Sequence, residues 1–242
     1  MRLNNFEPKN YVVWFIMAFQ SGVINAGGFL ACHRFVTHTT GFATHFGVDI
    51  ASTSLMNALG MLSVPLFFLV GAMLAAFLVD RKKLKAEAPY YSFVFIIISS
   101  LLFFVAFAGI RGFFGVFGTE LQIFKDYFLL AALSMASGLQ NATINPPNGT
   151  SIRTTHLTGL TTDLGVGVVR LFSGSLLGDQ RKKEILYNWI RVGIIGFFIF
   201  GSALGAYLFI KYRYYGFLIP AFISLFVFTH LQWQDKKTNR LN

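Results

Sequence analysis

Ser21-Gly22-Val23-Ile24-Asn25-Ala26 returns 116 positions later as Ser137-Gly138-Leu139-Gln140-Asn141-Ala142. Thr37-His38-Thr39-Thr40-Gly41 then returns at an offset of 118 as Thr155-His156-Leu157-Thr158-Gly159, and Thr44 and Gly47 recur as Thr162 and Gly165. A third block, Gly71-Ala72-Met73-Leu74-Ala75-Ala76-Phe77-Leu78, resembles Gly201-Ser202-Ala203-Leu204-Gly205-Ala206-Tyr207-Leu208. The blocks follow the same order in both copies. Chance similarity between apolar stretches accounts for the third block taken alone, but not for the first two together. The chain therefore reads as two repeats, about 1–118 and 119–242, that make one domain.

The sequence around these blocks is that of a membrane protein. Of 242 residues, 55% are hydrophobic and 12% charged, against about 25% charged in soluble domains. Six segments are apolar enough and long enough for a hydrocarbon core of about 30 Å. They are roughly Tyr11–Ala31, Met61–Val79, Tyr91–Ile110, Tyr127–Ile144, Trp189–Ile210 and Tyr214–Trp233. Tyrosine and tryptophan mark many of their ends, as expected of amphipathic rings at headgroup level. Two further segments, Gly41–Gly60 and Thr158–Gly178, are too polar to face lipid and too apolar for an exposed loop. The first carries His45, Asp49, Ser52, Thr53, Ser54 and Asn57; the second carries Asp163, Arg170 and five glycines. Each has about 12 good membrane residues, a length suited to a re-entrant or buried half-helix. The expected fold is all-α and polytopic, with about six transmembrane helices and two half-helices.

Charge bears on how the repeats are oriented. With three crossings per repeat, one side of the membrane receives Arg2, Lys9, Arg81, Lys82, Lys83, Lys85, Arg153, Arg170, Arg181, Lys182, Lys183, Arg191, Lys236, Lys237 and Arg240. The other receives Arg34, Arg111, Lys125, Lys211 and Arg213, so the split is 15 against 5. Four crossings per repeat nearly abolish this bias. The positive-inside rule thus favours six spans, inverted repeats and both termini in the cytoplasm. The net charge of +10 is read as contact with anionic lipid and control of topology rather than nucleic-acid binding.

Several residues stand out as candidates for a site. Inverted repeats with broken helices build solute sites where half-helix ends point inward. Thr39, Thr40 and Gly41 precede one half-helix, and Thr158 and Gly159 the other, offering hydroxyls, amides and close backbone approach. Asn25 and Asn141 lie mid-span, with Gln20 and Gln140 nearby in sequence; an amide in hydrocarbon needs a partner, either another helix or a solute. His45, Asp49 and Asp163 are ionisable groups at membrane depth and are candidates for coupling or gating; His45 and Asp163 hold equivalent repeat positions. His38 and His156 also recur, but no third ligand at a suitable spacing accompanies them, so no metal site is expected. The single cysteine, Cys32, reads as a small packing residue. There is no nucleophile elbow, phosphate-binding loop, zinc-protease helix or dinucleotide fingerprint, so neither an enzyme nor a cofactor is expected.

These motifs resemble those of the YoaK-like bacterial membrane proteins, a family with a domain of unknown function. The likeness rests on Ser21-Gly22-Val23-Ile24-Asn25-Ala26-Gly27-Gly28-Phe29-Leu30, Phe35-Val36-Thr37-His38-Thr39-Thr40-Gly41, Ser137-Gly138-Leu139-Gln140-Asn141-Ala142 and Thr154-Thr155-His156-Leu157-Thr158-Gly159. Asn25 stands where that family usually has an acid, and Phe42 where it usually has asparagine. The resemblance implies about six spans and an inner-membrane location, and no established substrate.

The expected function is a transporter or channel for a small solute or ion. It would bind at the midplane through Asn25, Thr39, Thr40, Gly41, Gln140, Asn141, Thr158 and Gly159, with one half rocking against the other. The alternative is a membrane-embedded scaffold or sensor that uses the clusters at Arg81–Lys85 and Arg181–Lys183 to hold lipid or a partner protein. A homo-oligomer is compatible with small-residue faces such as Gly71-x-x-x-Ala75.

Overall fold

A computed structural model describes residue 3 and residues 8–52, 61–85, 87–119, 124–144, 156–174 and 176–239. Thr53, Ser54, Asn57, Arg153 and Thr155 lie outside these residues, and all the described regular structure is helical. In chain order the helices are α1 (Pro8–Cys32), α2 (Thr40–Ala51), α3 (Ser63–Leu78), α4 (Asp80–Leu84), α5 (Tyr91–Ile110), α6 (Phe124–Thr143), α7 (Leu157–Phe172), α8 (Gly178–Tyr212) and α9 (Leu218–Asn239). A 3-10 turn, Arg213–Phe217, separates the last two.

Local sequence accounts for most of the boundaries. Pro8 opens α1, where its missing N–H costs nothing. His33, with φ of 54°, closes α1 in the left-handed region as its amide bonds back to Phe29 O. Gly112 does the same for α5 at φ 72°. The α8–α9 break falls at Arg213, with φ of 50°.

Large apolar side chains cover the outside of the bundle; Leu66, Met73, Phe107, Phe200 and Phe226 are all more than half exposed, and Met73 reaches 62%. Four described stretches are long and apolar enough to cross a membrane: Asn10–Cys32, Val64–Leu84, Tyr91–Ile110 and Gly178–Lys236, the last holding both α8 and α9. The expected span at Trp189–Ile210 is the apolar part of a 35-residue helix, about 52 Å long at 1.5 Å per residue. Its first turns continue because Glu184, Asn188 and Arg191 form a polar stripe that packs on α7.

The tightest packing pairs α1 with α8 and α3 with α6. Phe15 stacks on Phe197 with ring centres 5.1 Å apart, and Gly205 lies against Val23, so α1 and α8 run parallel. Glycine makes this approach possible. A Cβ on Gly22 would lie 2.1 Å from Phe198 O, and one on Gly201 would lie 2.1 Å from Phe19 O. The α3–α6 seam repeats the arrangement: a Cβ on Gly138 would lie 2.1 Å from Phe68 O, and one on Gly71 would lie 2.2 Å from Met135 O. Gly22 and Gly138 are related by the first sequence offset, and Gly71 and Gly201 by the third block. The Gly71–Ala75 face is therefore used within the chain, and Ala75 is fully buried. The third pair, α5 and α9, is antiparallel, with Ser99 Oγ donating to Ala221 O and Gln232 Nε2 to Ser92 Oγ.

Polar side chains buried at the centre satisfy one another. Gln20 Nε2 donates to Gln140 Oε1 at 2.8 Å, and Gln140 Nε2 to Met17 O and Ser21 Oγ. Ser224 Oγ completes the network by donating to Gln20 Oε1. The network joins α1, α6 and α9.

Candidate functional site

The two half-helices start at one place. The C-terminal end of α2 lies where α1 finishes and α6 begins: Asp49 and Arg34 both act electrostatically on Tyr127, and Arg34 Nε meets Met61 Sδ at 3.2 Å. The far end of α7 lies against the first turns of α8, where a Cβ on Gly167 would meet Asn188, Glu184 and Arg191. Because α8 runs parallel to α1, that is the opposite end of the bundle. Thus α2 and α7 point away from each other, and their N-termini share a cavity.

That cavity has a volume of about 310 Å³ and is lined by Asn25, Thr37, His38, Thr39, Thr40, Phe68, Asn141, His156, Leu157, Thr158 and Phe198. Ten of these eleven fall into five repeat-equivalent pairs: Asn25 with Asn141, His38 with His156, Thr39 with Leu157, Thr40 with Thr158, and Phe68 with Phe198. A second cavity of about 410 Å³ shares Thr39, Phe68 and Asn141 with it and extends to Asp80, the first residue of α4. The site thus has an extension toward the Arg81–Lys85 end of the bundle.

The lining is held in a definite order. Thr37, 2% exposed, donates its hydroxyl proton to Asn25 Oδ1 at 2.9 Å. Its oxygen lies 3.4 Å from His38 Nδ1. Phe35 stacks on the His38 ring. Thr39 and His156 occupy the N-cap positions of α2 and α7, and neither makes a side-chain cap. Thr158 and Gly159 lie inside the first turn of α7 rather than before it, because His156 has taken the boundary position. Gly159 lets the His156 ring fold over the helix start, where a Cβ would sit 2.7 Å from Nδ1. A Cβ on Gly41 would meet nothing closer than 3.8 Å.

Of the residues singled out in the sequence, Asn25, Thr39, Thr40, Asn141 and Thr158 line the cavity, and Gly41 and Gly159 adjoin it. Gln140 does not line it, its amide being committed to the buried network. His45 and Asp49 lie further along α2, half-buried, and one carboxylate oxygen of Asp49, Oδ2, is buried without a hydrogen-bond partner. Asp163 is exposed on α7, and no hydrogen bond or ion pair joins it to His45 among the described residues. Phe68 and Phe198 were missed, although extending the third repeat block three residues upstream pairs them. Also missed was a buried cluster on α8. Arg191 Nη1 donates to Glu184 Oε1 at 2.8 Å and to Asn188 Oδ1 at 2.6 Å, and Arg170 reaches Glu184 Oε2 at 3.9 Å. Its signal is the 184, 188, 191 spacing, one face of a helix.

The arrangement is that of an all-α multi-pass membrane protein with an internal polar cavity between two opposed half-helices. Residues 13–230 match the family described as "Protein of unknown function (DUF1275)", and the chain belongs to that family. No curated protein and no solved structure matches it.

Proposed function

We propose that the protein is a transporter or channel for a small solute or ion, which binds in the cavity where α2 and α7 begin. The observation that carries this reading is the lining itself, since five repeat-equivalent pairs converge on one polar space. A volume near 300 Å³ suits a small solute. Polar groups at such depth are costly unless they are used. In this reading the halves 1–118 and 119–242 are inverted copies in a bacterial inner membrane with both termini cytoplasmic, and no catalysis is assigned. The opposed half-helices and the 15-to-5 charge bias support that orientation.

The packing favours a different motion from the rocking of one half against the other. Each glycine seam joins a helix of one half to a helix of the other, so relative rocking would have to part four backbone contacts. The half-helices are held more loosely. None of the described α2 residues is buried, and Leu160 and Gly167 are the buried positions of α7. We therefore assign access to movements of α2 and α7 against a fixed frame of six helices.

Cysteine accessibility tests the proposal. In a Cys32→Ala background, Thr40→Cys and Thr158→Cys are expected to react with membrane-impermeant reagents, and the solute to slow both reactions. Failure of either position to label from either side would remove the solute pathway.

A further inference from the structure

We infer that the cavity takes a small, singly charged anion together with one proton, held by the His38–His156 pair. The inference rests on the reading of the cavity as a solute site and names what that site accepts.

Charge is the first argument. Among the described lining residues there is no carboxylate, lysine or arginine. A cation entering would leave its water and find no countercharge, a cost that neutral oxygens repay poorly. For an anion the balance is different. Helices of 12 and 16 residues begin at the cavity, each presenting roughly half a positive charge at its N-terminus.

Hydrogen-bond accounting points the same way. The Thr37 hydroxyl has one proton and gives it to Asn25 Oδ1. The oxygen of that amide is thereby occupied, and its two N–H donors have no protein partner among the described residues. Having spent its proton, Thr37 Oγ1 can only accept from His38 Nδ1. Neutral His38 therefore carries its proton on Nδ1 and keeps the Nε2 lone pair. The site thus offers donors to an acceptor ligand and one basic nitrogen to a proton.

The proton belongs to the pair. Burial and His156 are the influences acting on His38, so the two imidazoles sense each other. Two imidazolium charges would repel, whereas one imidazolium beside one anion is balanced. At the cavity α1 and α6 present Asn25 and Asn141, and α3 and α8 present Phe68 and Phe198. His45 lies further along α2, Asp163 is exposed on α7, and Asp80 lies at the far wall of the adjoining cavity. Arg34 and His33 precede the His38 loop, where Arg34 contacts Met61 and His33 contacts Gly118 O. Anion and proton binding must then be linked, each strengthening the other.

Calorimetric titration of the full chain in neutral-lipid nanodiscs tests this, with sodium nitrate, formate and lactate as probes and urea and choline sulfate as comparators. Uptake of one proton per anion makes affinity rise by up to about tenfold for each unit by which pH falls between 8.0 and 5.5. Titrations in two buffers of different ionisation heat should report proton uptake approaching one per anion at pH 8.0. A His38→Gln/His156→Gln variant should bind with the same affinity at both pH values and take up no proton. His156→Gln alone, at an exposed position, serves should the double variant not fold. Anion affinity independent of pH, preference for urea or choline, or no heat from any of the three anions would each overturn the inference. Labelling at Thr40→Cys and Thr158→Cys keeps the failures apart: accessible positions without anion binding leave the solute pathway standing and remove only the anion.

Discussion

Gln20 and Gln140 hydrogen-bond to each other at 2.8 Å in the buried centre, although the sequence repeat matches Gln20 with Ala136 and Gln140 with Ile24. The copies have diverged where the two halves meet on the bundle axis, and one amide from each now serves both. Gln140→Leu would leave the Gln20 amide without its acceptor, at a cost of about 1–3 kcal/mol. Gln20→Leu/Gln140→Leu should cost less than the sum of the single changes, because neither amide is then left unpaired. Denaturant titration in mixed micelles measures both.

The glycine seams allow a sharper comparison. Gly22→Ala and Gly138→Ala put a methyl 2.1 Å from a carbonyl oxygen on the facing helix, and each should destabilise by about 3 kcal/mol or more. Gly196→Ala, on the same helix as Gly201, meets nothing within 4 Å and should be neutral or gain up to about 1 kcal/mol from helix propensity. Melting temperatures of the three variants, read by intrinsic fluorescence, check the ranking.

The Glu184–Arg191 pair is the third case. Both side chains are about 10% exposed, so Glu184→Leu strands a nearly buried guanidinium with Asn188 as its remaining close partner. A loss of about 3–5 kcal/mol is expected, with much of it recovered in Glu184→Leu/Arg191→Leu. The same unfolding assay applies, and equal losses in the single and double variants would refute the pairing.

Charge at the α3–α5 turn should govern insertion. Lys82 is hydrogen-bonded to Glu87, which holds that exposed carboxyl below its usual range. Arg81 lies over the Phe77 ring at 4.7 Å. Replacing Arg81, Lys82, Lys83 and Lys85 with glutamine removes four of the fifteen charges that the proposed six-span orientation puts on one side and should yield a mixture of orientations. Protease protection of a C-terminal tag reads that mixture.

How much of this was legible in sequence depended on whether a contact respected the repeat. Asn25, Thr40, Asn141 and Thr158 were found because duplication wrote each of them twice, and the same signal covers His38 and His156. The Tyr91–Ile110 span was legible to the residue because hydropathy changes sharply at both ends, whereas α8 begins at Gly178, well before the expected Trp189. The Gln20–Gln140 bond was not, since non-equivalent positions carry no mark of meeting in space. Nor was the Glu184–Arg191 pair. Its charges count as loop charges until the helix is known to begin at Gly178, and α7 supplies the glycine that buries them. Partner choice between helices, with α1 on α8 rather than on a neighbour in sequence, has no local signature.

That choice has a consequence for how the protein is made. Gly22 accepts a hydrogen bond from Ser202, 180 residues later in the chain. At about 5–20 residues per second, the ribosome takes roughly 10–40 s to deliver the partner of a helix that left it first. During that interval the α1 face bearing Gly22 has no mate, and α3 likewise waits for α6. The first half alone is an intermediate whose packing surfaces are complete only once α6 and α8 have been made. Its natural hazard is pairing with the wrong nascent chain.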